Sequence, residues 1–98
     1  MTVSIYLRPE AERDMTDAAS WYESQRLGLG HEFLDELVKA LTRIADQPRS
    51  YPRVYKEVRR ILMRRFPFGV YFLDESIRLI VIAVMHASRN PKRWKIRG

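Results

Sequence analysis

Polar and apolar residues alternate from Thr2 to Arg8, with Val3, Ile5 and Leu7 on one side and Ser4, Tyr6 and Arg8 on the other, and this period of two predicts a half-buried strand. Pro9 suits the first position of a helix, where no backbone donor is needed. Glu10, Glu12 and Asp14 then place negative charge near the positive end of the helix dipole. The buried stripe of this first helix is read as Ala11, Met15, Ala18 and Tyr22, flanked by Ala19 and Trp21, and Gly28 and Gly30 end it in a short turn. From His31, the residues Phe33, Leu34, Leu37, Val38, Leu41, Ile44 and Ala45 recur at helical spacing for about four turns, which predicts a second helix. Pro48 and Pro52 stop it.

After Pro52 the chain reads as sheet. The segments Arg53 to Val58, Arg59 to Phe66, Phe68 to Leu73 and Ile77 to Met85 are rich in β-branched, aromatic and aliphatic residues. The last two flank Asp74-Glu75-Ser76, a connection of hairpin length, and should pair antiparallel. Leu79 to Met85 is apolar at every position, which predicts a central strand covered on both faces. The expected fold class is therefore α+β: an N-terminal strand, a two-helix hairpin, then a three- to four-stranded antiparallel sheet with the helices packed on one face.

The length of 98 residues suits one domain over 1–98, and 46% hydrophobic with 31% charged residues is a composition that folds. The absence of cysteine removes disulfides, thiolate nucleophiles and cysteine-based metal sites, and permits a reducing cytoplasm. The longest apolar run is too short to span a membrane, and Met1 to Leu7 lacks the regions of a signal peptide, so a soluble, unexported chain without membrane partners is expected. Charge is divided unevenly. Residues 1–50 carry six Lys/Arg against nine Asp/Glu, a net of −3, while residues 51–98 carry twelve against three, a net of +9. The second half should attract a polyanion or an acidic protein segment, or else present a solvated basic face.

Two clusters carry candidate chemistry. His86 follows the central strand and precedes Arg89, Lys92, Arg93, Lys95 and Arg97; an imidazole held at a strand end beside cations suits proton transfer next to a phosphate. The alternative is that His86 caps the strand by bonding backbone, and His31 reads as plain surface. Arg59, Arg60, Arg64 and Arg65 lie on one strand and its continuation, so alternation forbids them all to face one side. Those facing away from the helices are expected to line a concave basic surface, with Tyr55, Tyr71 or Trp94 near enough to stack on bases; the alternative is pairing with Glu57, Asp74 and Glu75. Trp21-Tyr22-Glu23 reads as core. Walker loops, dinucleotide glycine fingerprints, paired-His metal motifs and Ser elbows are absent from the sequence.

Four segments carry a resemblance: Arg13-Asp14 with Trp21-Tyr22-Glu23; Gly28-Leu29-Gly30 with Phe33-Leu34; Arg65-Phe66-Pro67-Phe68 with Val70-Tyr71; and Val84-Met85-His86-Ala87-Ser88-Arg89-Asn90-Pro91 with Trp94. In order and spacing the set resembles the RelE/ParE superfamily of toxins from type II toxin–antitoxin systems. The resemblance implies a small cytoplasmic, growth-inhibiting toxin of the kind linked to plasmid stabilisation, neutralised by a cognate antitoxin. It leads to a ParE-like reading with DNA gyrase as target, and to ribosome-dependent mRNA cleavage of the RelE type as the alternative. A second alternative is a non-toxic basic nucleic-acid-binding module.

For a ribonuclease, the resemblance places Arg59 and Arg89 in two of the basic positions of that branch; a metal-independent and cofactor-independent endoribonuclease is then expected in which Arg65 and Arg89 stabilise the phosphate and His86 carries the proton. Arg59, Arg60, Arg64 and Trp94 would then bind the nucleic acid or the target. Two departures count against cleavage: Phe68 stands where that branch has a middle-strand Arg, and the C-terminal aromatic is Trp94, whose indole cannot titrate as a phenol does. The antitoxin is expected to lay an amphipathic, acidic segment along the sheet and helical hairpin, over the Arg-rich face.

Overall fold

The computed structural model describes residues 3–98, so the predicted strand start at Thr2 lies outside the described residues. In chain order the elements are β1 (Ser4–Leu7), α1 (Pro9–Gln25), α2 (Leu29–Asp46), a 3₁₀ turn (Pro48–Ser50), β2 (Arg53–Tyr55), β3 (Val58–Leu62), β4 (Phe68–Asp74), β5 (Arg78–His86) and α3 (Lys92–Lys95). This is the expected α+β arrangement with an added C-terminal helix, α3, that was not expected; several boundaries shift by a residue, and three shift for a visible reason. Helix α2 begins at Leu29 rather than His31 because Gly30 is helical and buried. The run from Arg53 breaks at Lys56, which turns the chain with φ 50, instead of continuing to Val58. Strand β3 ends at Leu62, so Arg64 and Arg65 lie in the bend that leads to β4.

Five strands form one sheet in the order β1-β5-β4-β3-β2. The four C-terminal strands pair antiparallel, and β1 adds parallel to β5. One face carries Ile61, Val70, Phe72, Leu79, Val81 and Val84 against Ala11, Ala18, Phe33, Leu37, Ala40 and Ile44 of the helices. The other carries Val58, Tyr71, Ile80, Ile82, Ala83 and Met85, and its cover is Trp94 of α3. Strand β5 is therefore apolar at every position from Leu79 to Met85 because both faces are sealed, one by the hairpin and one by the chain's own C-terminal arm. Opposite β4 the register skips from Ala83 to Val81, so Ile82 is an extra residue and turns to the same face as Ala83.

The turn between the helices explains one of the sequence motifs. The Glu23 carboxylate accepts hydrogen bonds from the backbone N–H of Gly28 (3.0 and 3.1 Å) and of Gly30 (3.0 Å), satisfying donors that the start of α2 leaves free. Gly28 takes φ 88, a left-handed conformation, immediately before α2. Gly30 lies so close to α1 that a Cβ would stand 2.5 Å from the Ala19 carbonyl oxygen. Gly30→Ala should therefore destabilise the protein by about 1–3 kcal/mol, as overpacking against backbone does, in a denaturant titration.

The same contacts make the hairpin acid-sensitive. Hydrogen bonds from Gly28 and Gly30 hold the Glu23 carboxyl below its ordinary value of 4.5, and hydrogen bonds from Arg65 and then Arg26 do the same for Glu32. Both folded-state values are depressed, so the stabilisation is fully present above the unfolded-state value and is lost as pH falls through the folded one. The thermal midpoint should fall as pH drops below 4.5, and Glu23→Gln should flatten that slope.

Candidate functional site

Strand β5 outruns β1. Beyond Val81, whose carbonyl accepts from Arg8 N–H, side chains take the edge of β5: Val84 N–H donates to Asp14 (3.0 Å) and the Ile82 carbonyl accepts from Arg97 (3.2 Å). Arg97 also grips Asp14 with Nη1 at 2.6 Å and Nη2 at 3.4 Å, and its own carbonyl accepts from Arg8 (2.6 Å). This latch fastens the C-terminal arm to the start of α1. Between α1, the start of β4 and the arm it leaves a cleft of about 850 Å³, lined by Asp14, Asp17, Trp21, Tyr22, Phe68, Met85, His86, Arg89 and Arg93 among others.

The base of the cleft is aromatic. Tyr22 stacks on Phe33 (5.3 Å between centroids, 26°) and meets Phe66 edge-on (4.8 Å), while Phe33 meets Phe68 edge-on (5.1 Å). Burial among these rings raises the Tyr22 hydroxyl pKa. Trp21 stands at the rim, 59% exposed, with its ring edge-on to Tyr22. The helix-one, helix-two and Phe66–Phe68 segments that are far apart in sequence thus meet in one cluster.

His86 closes the far end, its ring edge-on to Phe68 at 5.5 Å. The backbone N–H of Ser88 donates to its Nδ1 (3.1 Å), and the Ser88 hydroxyl lies 2.7 Å from the same atom. An N–H can only donate, so Nδ1 is bare and Nε2 carries the hydrogen. In this state Nδ1 is taken by Ser88 and the ring's donor is Nε2. The same turn is fixed by Ala87 N–H to Pro67, Arg89 N–H to the His86 carbonyl, and Lys92 N–H to Asn90 Oδ1. His86 accordingly does bond backbone, and by doing so it sets where Arg89 leaves the chain.

The structure brings His86 and Arg89 together and disperses the other expected site residues. Arg59 faces the helix side, where its Nη1 donates to the carbonyls of Tyr51 (2.6 Å) and Arg49 (3.4 Å). Arg60 pairs across the sheet with Tyr71 on the opposite face. Arg65 is bound to Glu32 of α2 at 2.8 Å and does not line the cleft. Arg64 is exposed in the β3–β4 bend.

Four expectations are therefore corrected. The single concave basic surface does not form, because the four arginines go to separate partners and faces. Trp94 and Tyr71 are not stacking platforms: they are 4% and 2% exposed and stack on each other at 4.4 Å and 21°. Glu57, Asp74 and Glu75 pair with Arg53, Arg49 and Arg78 rather than with Arg59 to Arg65. Trp21 is not core, since the Ala11–Ala18–Tyr22 stripe that faces the sheet turns it outward. Arg93, expected in the His86 cluster, does line the cleft, whereas Trp21 completes it without having been expected there; an aromatic residue just off the buried stripe was the available signal.

A two-helix hairpin thus packs on one face of a five-stranded sheet, with a cleft at the end of β5. The family profile described as the ParE toxin of type II toxin–antitoxin systems matches residues 5–91, and the chain belongs to that family. No curated protein matches it. Among solved structures, the chromosomal ParDE toxin–antitoxin system of Pseudomonas aeruginosa superposes with a TM-score of 0.71 at 15% identity, covering 87% of this chain and 96% of that one. A mutant of the Escherichia coli toxin RelE in the free state gives 0.62 at 19% identity, over 90% and 86% of the two chains. A RelBE toxin–antitoxin complex of Mycobacterium tuberculosis gives 0.57 at 13% identity, over 88% and 99%. At these identities the structures share the fold.

Proposed function

We propose that this toxin inhibits growth by docking on a protein target in the cytoplasm, DNA gyrase being the target expected of a ParE-like chain, and that a cognate antitoxin silences it by filling the cleft. The observation that carries this reading is the makeup of the cleft. Trp21 and Phe68 offer apolar surface; with Asp14 paired to Arg97, the cations Arg89 and Arg93 outnumber the remaining acidic lining side chain, Asp17, a balance that suits an acidic, amphipathic segment. The antitoxin partner is supported by family membership and by structural neighbours that are toxin–antitoxin systems.

RNA cleavage is the weaker reading on the same geometry. Transition-state stabilisation needs cations converging on one phosphate. Arg59 is spent on carbonyls, Arg65 on Glu32, and Phe68 lies against His86 where a middle-strand cation would be needed. Purified toxin should be added to gyrase in a supercoiling assay and, separately, to translating ribosomes. Loss of supercoiling that antitoxin restores, with transcripts left intact, is the expected result. Transcript cutting that disappears in His86→Ala and Arg89→Ala variants would overturn it.

A further inference from the structure

The second half of the chain holds three carboxylate side chains, Glu57, Asp74 and Glu75, and each is engaged by an arginine: Arg53, Arg49 and Arg78 respectively. The cations on the sheet face covered by α3 are left over. Lys56 and Lys95 place their ammonium groups 5.1 and 5.0 Å from the centroid of the Tyr55 ring. Arg60 rises from the same face, opposite Tyr71. Lys92 stands one helical turn before Lys95 on α3. Among the described residues, none of these four has a carboxylate within 4 Å.

We propose that this face, formed by Lys56, Arg60, Lys92 and Lys95, binds the phosphate backbone of double-stranded DNA, separately from the cleft. Three features select that partner. The apolar surface here is already sealed under Trp94, so an amphipathic peptide has no groove to enter, whereas a partner with its charge on the outside needs none. The aromatic rings are occupied, Tyr71 and Trp94 by each other and Tyr55 by two ammonium groups, so splayed bases of a single strand find no free platform. Finally, Lys and Arg side chains donate and do not accept, so the four groups suit the acceptor oxygens of a phosphate backbone and offer nothing to the donor edges of bases. The contact is sequence-independent, since phosphate carries no base information.

The test is fluorescence anisotropy with a labelled 20-base-pair DNA duplex over a range of salt, using the full chain. The variant K56A/R60A/K92A/K95A should bind at least about tenfold more weakly at low salt, and the slope of log affinity against log salt should flatten by about three to four, near one for each phosphate that no longer meets a cation. A charge-matched control on the helical hairpin, R13A/R26A/K39A/R43A, should keep most of that slope, and circular dichroism confirms that both variants fold. Equal losses in the two variants would reduce the effect to net charge and overturn the proposal. Tighter binding of a single strand, an RNA duplex or a polyglutamate peptide than of the DNA duplex would overturn it as well.

Discussion

Trp94→Ala is expected to lower the free energy of unfolding by about 3–5 kcal/mol, the usual cost of emptying a buried Trp site. The residue sits in a helix of only four residues, which has too few hydrogen bonds to hold itself together. What keeps α3 in place is the indole stacked on Tyr71 and the latch from Arg97 to Asp14 and Ile82. Removing the indole uncovers Val58, Ile80, Ile82 and Met85 on that face of the sheet, so the loss should appear both in urea unfolding and as faster hydrogen exchange along β5. A change under about 1 kcal/mol together with selective loss of target binding would instead make Trp94 a contact residue.

The second large effect concerns the cleft. Reversing both rim cations in Arg89→Glu with Arg93→Glu should weaken antitoxin binding by about 100-fold at low salt, near a factor of ten for each charge. Raising the salt should shrink the difference, because exposed charges are screened. Reversing Arg65 should do less to the antitoxin and more to stability, since it places a third carboxylate beside Glu32 and Glu36 of α2. Calorimetric titration of the two variants against the same antitoxin segment separates the two roles; an Arg65 variant that loses affinity as steeply as the rim variant contradicts the placement.

Much of this architecture is written locally. The alternation of β1, the Pro9 start, the apolar spacing of α2 and the unbroken apolar run of β5 are each enough to fix an element, because period and capping act over neighbouring residues. The site is less legible because its parts are defined by distant partners. Arg65 reads as a free cation until Glu32, 33 positions away, is seen to hold it. Trp94 is flanked by Arg93 and Lys95 and reads as exposed, yet its burial is decided by Tyr71. The run of β5 demanded cover on both faces without naming the C-terminal arm as the second cover. The Glu23–Gly30 segment, legible as a pattern, turns out to be a helix cap and a close approach between helices.

The chain has two tryptophans, one on each side of the question. Their indole N–H resonances can be followed in a nitrogen–proton correlation spectrum while the antitoxin's acidic segment is titrated in. If the cleft is the docking site, the Trp21 signal shifts and broadens at substoichiometric antitoxin while that of Trp94 stays in place. A moving Trp94 signal beside an unmoved Trp21 would put the partner on the opposite face of the sheet.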